Sequence, residues 1–247
     1  AQFRRIGARD FVDDKPSRVT WFYTHTVPIA HDLDDTLQAE TYQEIIRGFT
    51  GGEGHERPIL PQPTEAQRAK AAALLSSAAG KRKIGLCVKG TFGLKTWPKE
   101  YFVEVVRALY ERYDAAFYVT GAPGDYAYAA EVIAAIGLPV ENLCGKTNLM
   151  ELTAFYAQLD LLVSVDTGGG HIAAATGVPL VVMFGCTSPR RWHPISDNAK
   201  AFTSNEPCCP CSYGETACPS YPQPNCLYHV RPEEVIGACV RFLDGTM

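Results

Sequence analysis

The length, composition and charge of the chain are those of an ordinary globular protein and exclude several classes. The chain has 247 residues, of which 46% are hydrophobic and 20% are charged, and its formal net charge is -4. Since this mild acidity comes without a basic stripe, it gives no support for a nucleic-acid partner. No apolar run approaches the roughly 20 residues of a membrane-spanning helix, and no signal peptide is visible, so we expect no transmembrane segment.

The first part of the chain carries the least regular pattern. Residues 18–29 are rich in Val, Trp, Tyr and Thr and predict a strand. Residues 34–52 predict a helix that glycine stops, and the Gly- and Pro-rich residues 51–63 predict a linker. We therefore expect a short N-terminal part over residues 1–62 and one domain over residues 63–247.

Short apolar runs alternate with helical patterns from Thr64 to the end of the chain. Thr64 and Gln67 have the spacing of a capping box and predict a helix to about residue 79. The predicted strands that follow span residues 83–88, 115–121, 141–145, 161–165 and 180–185. The predicted helices begin at Pro98, Asp125, Asn148 and about Gly170, and a last one spans residues 231–245.

The apolar runs of these strands are continuous rather than alternating. Such runs are typical of a parallel sheet that helices cover on both faces. The pattern therefore predicts the α/β class, with a doubly wound parallel sheet. Ligands of such sheets bind at the carboxyl ends of the strands.

One junction between a predicted strand and a predicted helix concentrates polar residues and glycines. Asp166 ends the strand and Thr167 follows it. Three glycines come next and allow a tight turn close to a ligand: Gly168, Gly169 and Gly170. His171 lies in the first helical turn, where unpaired N–H groups and the helix dipole favour an anion. We predict a phosphate-binding site here; the alternative is a plain glycine-rich turn in which Asp166 or Thr167 only caps the helix.

The same junction carries a resemblance to a known family. Residues 166–194 resemble the nucleotide-sugar-binding motif of glycosyltransferase family nine, the heptosyltransferases, with Cys186 in place of the usual proline. Three further segments, all earlier in the chain, resemble parts of the family's pattern and occur in the same order as in the family. They are KGTFGLKTWPKEYF at 89–102, TGAPGD at 120–125 and NLCGKTNLMEL at 142–152.

The resemblance implies a GT-B-type glycosyltransferase, of which this chain would be mainly the Rossmann-like C-terminal donor domain. Residues 1–62 would then be a remnant of an N-terminal acceptor domain with its linker. The implied reaction is inverting transfer of a heptose or a related sugar, without a catalytic cofactor. The favoured donor is ADP-heptose, although the motif does not read the base and GDP or UDP could replace ADP. The acceptor would be a lipopolysaccharide core, a protein or another glycan.

Roles of single residues are carried over from the same resemblance. Lys95 would hold the donor diphosphate and, with His171, would stabilise the leaving group. Asp166 would contact sugar hydroxyls, and Asp125 stands where the family usually has a glutamate that holds the ribose. The other implied donor contacts are Thr167, Gly168, Gly169, Gly170 and Thr187. The catalytic base is expected outside this chain, and a cytoplasmic location at the inner face of the inner membrane and a homo-oligomeric state are further expectations.

The nine cysteines fall into two groups. Cys87, Cys144, Cys186 and Cys239 are scattered among apolar segments and are expected to be small buried side chains. The others cluster in the Pro-rich residues 208–226. Four of them have a spacing that could hold a structural Zn or Fe ion: Cys208, Cys211, Cys218 and Cys226. Unligated thiols and disulfides are the alternatives, and a cytosolic enzyme disfavours disulfides.

Two other classes of function stay open beside an active transferase. A non-catalytic module that binds nucleotide sugars would keep the same motif. An NAD-type oxidoreductase is disfavoured because no G-x-G-x-x-G follows a strand. The remaining histidines are expected to be structural or exposed: His25, His31, His55, His193 and His229.

Overall fold

A six-stranded parallel sheet forms the centre of the larger of the two compact units in the chain. The computed structural model describes residues 6–10, 25–29, 31, 35–52, 59–211, 218 and 225–247. The smaller unit comprises Ala1–Pro58 and Arg190–His193, and the larger comprises Ile59–Pro189 and Pro194–Met247.

The described N-terminal residues of the smaller unit include two strands and a helix. β1 (Ile6–Asp10) pairs in parallel with β2 (His25–Ile29), and α1 (Gln38–Thr50) follows. α1 ends where Gly51 takes the left-handed conformation with φ 69°, so glycine stops this helix as predicted. The predicted strand over 18–29 is observed at its end, and residues 18–24 lie outside the described residues. β1 was not predicted.

The strands found among the described residues of the larger unit all belong to one sheet. These are β3 (Arg82–Cys87), β4 (Ala115–Val119), β5 (Val140–Asn142), β6 (Leu161–Val165), β7 (Leu180–Met183) and β8 (Ala199–Phe202). Their order across the sheet is β5-β4-β3-β6-β7-β8, and every neighbouring pair is parallel. The chain therefore winds one way from β3 to β5 and the other way from β6 to β8. This is the predicted doubly wound α/β fold, and its winding reverses between β3 and β6.

The helices of the larger unit are α2 (Glu65–Leu74), α3 (Lys99–Arg112), α4 (Tyr126–Ile136), α5 (Leu149–Tyr156), α6 (Gly168–Thr176), α8 (Asn225–Tyr228) and α9 (Pro232–Leu243). The short helix α7 (Pro189–Trp192) lies mostly in the smaller unit. The capping box of Thr64 and Gln67 is formed as predicted. α2 is shorter than predicted because a separate 3-10 turn, Ser76–Ala78, follows it.

The core lies on both faces of the sheet. Every residue of β6 and β7 is buried, which explains why their sequences are continuously apolar. α3 buries Phe102, Val105, Val106 and Leu109, the residues that recur at helical spacing. Beside α3, the fully buried Trp97 donates its indole N–H to the carbonyl oxygen of Val230, 3.0 Å away. In the part of the chain that the structure describes, no helix is both long and apolar enough to span a membrane.

Candidate functional site

A cavity of about 730 Å³ opens beside the carboxyl ends of β3, β4 and β6, next to the point where the winding of the sheet reverses. Its walls come from four loops that follow strands and from the helices α5 and α6. The lining residues are Cys87, Lys89, Gly90, Thr91, Thr120, Gly121, Ala122, Pro123, Asp125, Thr147, Asn148, Leu149, Leu152, Tyr156, Thr167, Gly168, Gly169 and Ile172. This is the place where open α/β sheets bind ligands.

The beginning of α6 lies at this cavity. Thr167 is the N-cap residue, with an extended backbone and no side-chain capping hydrogen bond. The helix begins at Gly168, two residues before the predicted start at about Gly170, because the extended Thr167 completes the turn and the glycines are already helical. His171 consequently occupies the fourth helical position, and its side chain is exposed. The first N–H groups of α6 and the positive end of its dipole therefore lie where Gly168 and Gly169 line the cavity.

The two glycines have different surroundings. A Cβ atom on Gly168 would meet no other atom within 4 Å, so the backbone is open on that side. A Cβ atom on Gly169 would lie 3.1 Å from both Cys87 Sγ and Tyr156 Oη. Gly169 is thus packed against the floor of the cavity.

Asp166 is the centre of a buried polar group beside α6. Its Oδ2 atom lies 2.7 Å from Lys95 Nζ and accepts a hydrogen bond of 2.6 Å from the Thr187 hydroxyl. The side chains of Lys95 and Asp166 are 17% and 6% exposed. Residues that follow β3, β6 and β7 therefore meet at Asp166, through one ion pair and one hydrogen bond. All three residues are among the predicted donor contacts.

A second ion pair lies in the cavity wall. Lys89 Nζ is 3.0 Å from Asp125 Oδ1, and Asp125 Oδ2 accepts a hydrogen bond of 2.9 Å from the backbone N–H of Ala122. Asp125 was a predicted site residue and Lys89 was not. Its position just after β3 could have singled it out, because the carboxyl ends of parallel strands form the ligand edge of the sheet.

Three buried polar side chains form the floor of the cavity. Tyr156 Oη lies 2.8 Å from Thr120 Oγ1 and 3.2 Å from Cys87 Sγ, and these last two atoms are 3.4 Å apart. Burial raises the pKa of Tyr156 well above its ordinary value, so its hydroxyl stays protonated. None of the three residues was predicted as part of the site, because Cys87 and Tyr156 lie in apolar segments.

Seven of the nine predicted site residues fall into two sets, and Gly170 and His171 belong to neither. Asp125, Thr167, Gly168 and Gly169 line the cavity. Lys95, Asp166 and Thr187 form the buried ion-pair group. Gly170 is buried inside α6.

The four cysteines predicted as metal ligands do not gather into a site. In residues 59–211, 218 and 225–247, no three His, Cys, Asp or Glu side chains are placed to hold a metal ion. Cys226 instead pairs with Cys209. The hydrogen bond from the Cys226 thiol lowers the pKa of Cys209. Cys209 in turn donates its own S–H to the carbonyl oxygen of Gly185, 2.8 Å away. None of the nine cysteines, all within the described residues, forms a disulfide.

The scattered cysteines and two of the histidines behave as expected. Cys87, Cys144, Cys186 and Cys239 are buried. His31 contacts Thr41 and Glu44, and His229 pairs with Glu206.

A doubly wound sheet with a helix N-terminus, a carboxylate and a lysine at its ligand edge is an α/β domain of the type whose ligands bind at the carboxyl ends of the strands. The particular family follows from comparison with known proteins. The family model described as glycosyltransferase family 9 (heptosyltransferase) matches residues 5–221. The chain therefore belongs to this glycosyltransferase family, as the motif resemblance predicted.

Individual relatives have the same family character. Lipooligosaccharide heptosyltransferase 2 of Haemophilus influenzae is 36% identical over 124 residues, which cover 47% of this chain and 35% of that protein. The structure of Escherichia coli ADP-heptose lps heptosyltransferase II has a TM-score of 0.69 and 22% identity, over 89% of this chain and 66% of that one. The structure of the iron-containing dodecameric heptosyltransferase TibC in complex with ADP-D-beta-D-heptose has a TM-score of 0.60 and 14% identity. The match covers 95% of this chain and 63% of that one. The chain thus spans only part of the length of each relative.

Proposed function

We propose that this chain carries the donor site of a heptosyltransferase that takes an ADP-sugar, with ADP-heptose as the favoured donor. The observation that carries the proposal is the start of α6 at the cavity, where Gly168 and Gly169 bring backbone N–H groups to the ligand edge of the sheet. Two of the solved neighbours are named for, or hold, ADP-heptose. The proposed reaction transfers the sugar with inversion at its anomeric carbon.

The chemistry of such a transfer calls for groups of this kind. The acceptor oxygen attacks the anomeric carbon, the bond from that carbon to the diphosphate oxygen breaks, and the acceptor proton goes to a base. Negative charge then develops on the leaving diphosphate. N–H groups at a helix N-terminus, hydroxyls and ammonium groups stabilise such charge because they are fixed in place before the reaction.

The predicted contacts other than Gly170 have a place in this proposal, and Lys95 takes a different role from the diphosphate contact that the resemblance implies. Thr167, Gly168 and Gly169 face the diphosphate, and Asp125 accepts hydrogen bonds from the ribose hydroxyls. Asp166 contacts the sugar, and its carboxylate is held in position by Lys95 and Thr187. His171 assists the leaving group from the fourth position of α6. We expect the base and the acceptor site outside the described residues.

Further expectations concern the acceptor and the setting. We propose a lipopolysaccharide core, a protein or another glycan as the acceptor. A cytoplasmic enzyme that works peripherally at the inner membrane and assembles as a homo-oligomer would suit such an acceptor.

Calorimetric titration tests the donor proposal. The chain is titrated with ADP, GDP and UDP, and then with sugar conjugates of the tightest nucleotide. Selective binding of ADP that heptose strengthens would support the proposal, and a chain that binds none of these ligands would contradict it. His171→Ala should weaken ADP binding by about 1–3 kcal/mol, as expected for a charge-assisted hydrogen bond to phosphate. His229→Ala is the matched control, because His229 pairs with Glu206 away from the cavity.

A further inference from the structure

The two lysines near α6 differ in their access to the cavity. Among the described residues that line it, Lys89 is the only one with a positively charged side chain. Lys95 lies beside the cavity in its ion pair with Asp166 and does not line it. The motif resemblance points to Lys95 as the phosphate ligand, whereas the cavity contains Lys89.

The two ion pairs also differ in how readily they can open. Lys95 and Asp166 are 17% and 6% exposed, and separating them would leave a buried carboxylate without its cation, which is costly. Lys89 and Asp125 are 36% and 26% exposed. Water and salt weaken such a pair, so Lys89 can leave Asp125 at little cost in free energy.

The surroundings of Lys89 suit a phosphate group. Lys89 lines the same cavity as Thr167, Gly168 and Gly169, where the positive end of the α6 dipole lies. A cation and a helix N-terminus that share one cavity both favour a negatively charged ligand there. Asp125 is the only carboxylate among the described lining residues, and Lys89 neutralises it.

We propose that Lys89 binds a phosphate group of the donor and exchanges the Asp125 carboxylate for a phosphate oxygen when it does so. This inference rests on the proposed donor site and names a residue of it. The exchange leaves Asp125 Oδ1 able to accept a hydrogen bond from a ribose hydroxyl, while the N–H of Ala122 still holds Oδ2. One lysine thus couples phosphate binding to ribose binding.

Variants of Lys89 test the phosphate contact. Calorimetry compares wild type, Lys89→Gln and Lys89→Arg with adenosine and ADP as ligands. Lys89→Gln should weaken ADP binding about tenfold or more and should not weaken adenosine binding, because only ADP has phosphates. Lys89→Arg should restore most of the ADP affinity. Lys81→Gln is the matched control, since Lys81 forms an exposed pair with Asp114 away from the cavity and its loss should not affect ADP.

A second measurement tests the exchange of partners. Inorganic pyrophosphate has no ribose, so Asp125 can only compete with it for Lys89. Asp125→Asn should therefore tighten pyrophosphate binding about threefold, whereas Lys89→Gln should weaken it.

The outcomes separate this inference from the proposed function. If wild type binds ADP and Lys89→Gln binds it equally well, the inference is overturned and the donor proposal stands. If wild type binds neither ADP nor pyrophosphate, both are overturned. If Lys89→Gln weakens ADP binding but Asp125→Asn does not tighten pyrophosphate binding, the exchange is wrong.

Discussion

Lys95 and Asp166 form an ion pair with their Nζ and Oδ2 atoms 2.7 Å apart, although Lys95 follows β3 and Asp166 follows β6. The pair bridges the two strands between which the winding of the sheet reverses. Because both side chains are largely buried, removal of one charge leaves the other uncompensated.

Lys95→Met should therefore lower the free energy of unfolding by about 3 kcal/mol, because Asp166 would keep only its hydrogen bond from Thr187. The double variant Lys95→Met/Asp166→Asn should recover part of this loss, since it buries no unpaired charge. Urea unfolding of the two variants and wild type measures both effects. Equal stabilities of Lys95→Met and wild type would contradict the prediction.

Gly168 and Gly169 should respond differently to a methyl group. Gly169→Ala places a Cβ 3.1 Å from Cys87 Sγ and Tyr156 Oη, so it should lower stability by about 1–3 kcal/mol. Gly168→Ala meets no atom within 4 Å and should fold as well as wild type. ADP binding should nevertheless fall in Gly168→Ala, because Gly168 lines the cavity in which we propose that the diphosphate binds. Thermal unfolding and ADP titration of this matched pair are the measurements.

The hydroxyl of Tyr156 should contribute to stability. Tyr156→Phe removes the contacts with Thr120 and Cys87 and should cost about 1–2 kcal/mol, since the Thr120 hydroxyl would lose its 2.8 Å partner. Tyr118→Phe is the control, because the Tyr118 hydroxyl has a contact of 3.5 Å to Ser77 and should matter less. A larger loss in Tyr118→Phe than in Tyr156→Phe would count against the prediction.

Glu151 should make stability depend on pH in the acid range. Its hydrogen bonds from Lys70 and from the backbone N–H of Asn148 lower its pKa below the ordinary value of 4.5. A lowered pKa in the folded state means that the contribution to stability is present above pH 4.5 and is lost as pH falls through the lower value.

Glu151→Gln keeps an acceptor for the Asn148 N–H but loses the charge. The variant should be less stable than wild type at neutral pH, and the difference should shrink on acidification. Unfolding by urea at several pH values gives the comparison. Glu65→Gln is the control, since Glu65 is a highly exposed carboxylate that pairs only with Arg68 in its own helix. A constant difference between wild type and Glu151→Gln at all pH values would refute the assignment.

Much of the fold could be predicted because the buried strands are continuously apolar. β6 and β7 are buried at every residue, so their sequences alone marked them as central strands. β8 was missed because its residues Ala199–Phe202 are only partly buried and include the exposed Lys200. The short helices α7 and α8 carry too few residues for a helical period to appear.

The site was harder to predict than the fold, because ion pairing depends on tertiary neighbours. The motif marked Lys95 and Asp166 but could not show that they neutralise each other. Lys89 belongs to no predicted contact, and only the approach of β4 to β3 brings Asp125 beside it. Spacing likewise suggested that Cys226 joins Cys208, Cys211 and Cys218, whereas folding places Cys209 beside it.

The position of the cavity at the β3–β6 junction ties ligand affinity to the integrity of the sheet. Cys87 to Thr91 come from one half of the winding and Thr167 to Ile172 from the other, and the pairing of β3 with β6 joins the two halves. A ligand that contacts both halves links them across the β3–β6 pairing, which we call the seam. At a hundredfold excess over its dissociation constant it would raise the free energy of unfolding by about 2.7 kcal/mol. The melting temperature should therefore climb with donor concentration, and the seam should be the last part of the sheet to exchange its amide hydrogens.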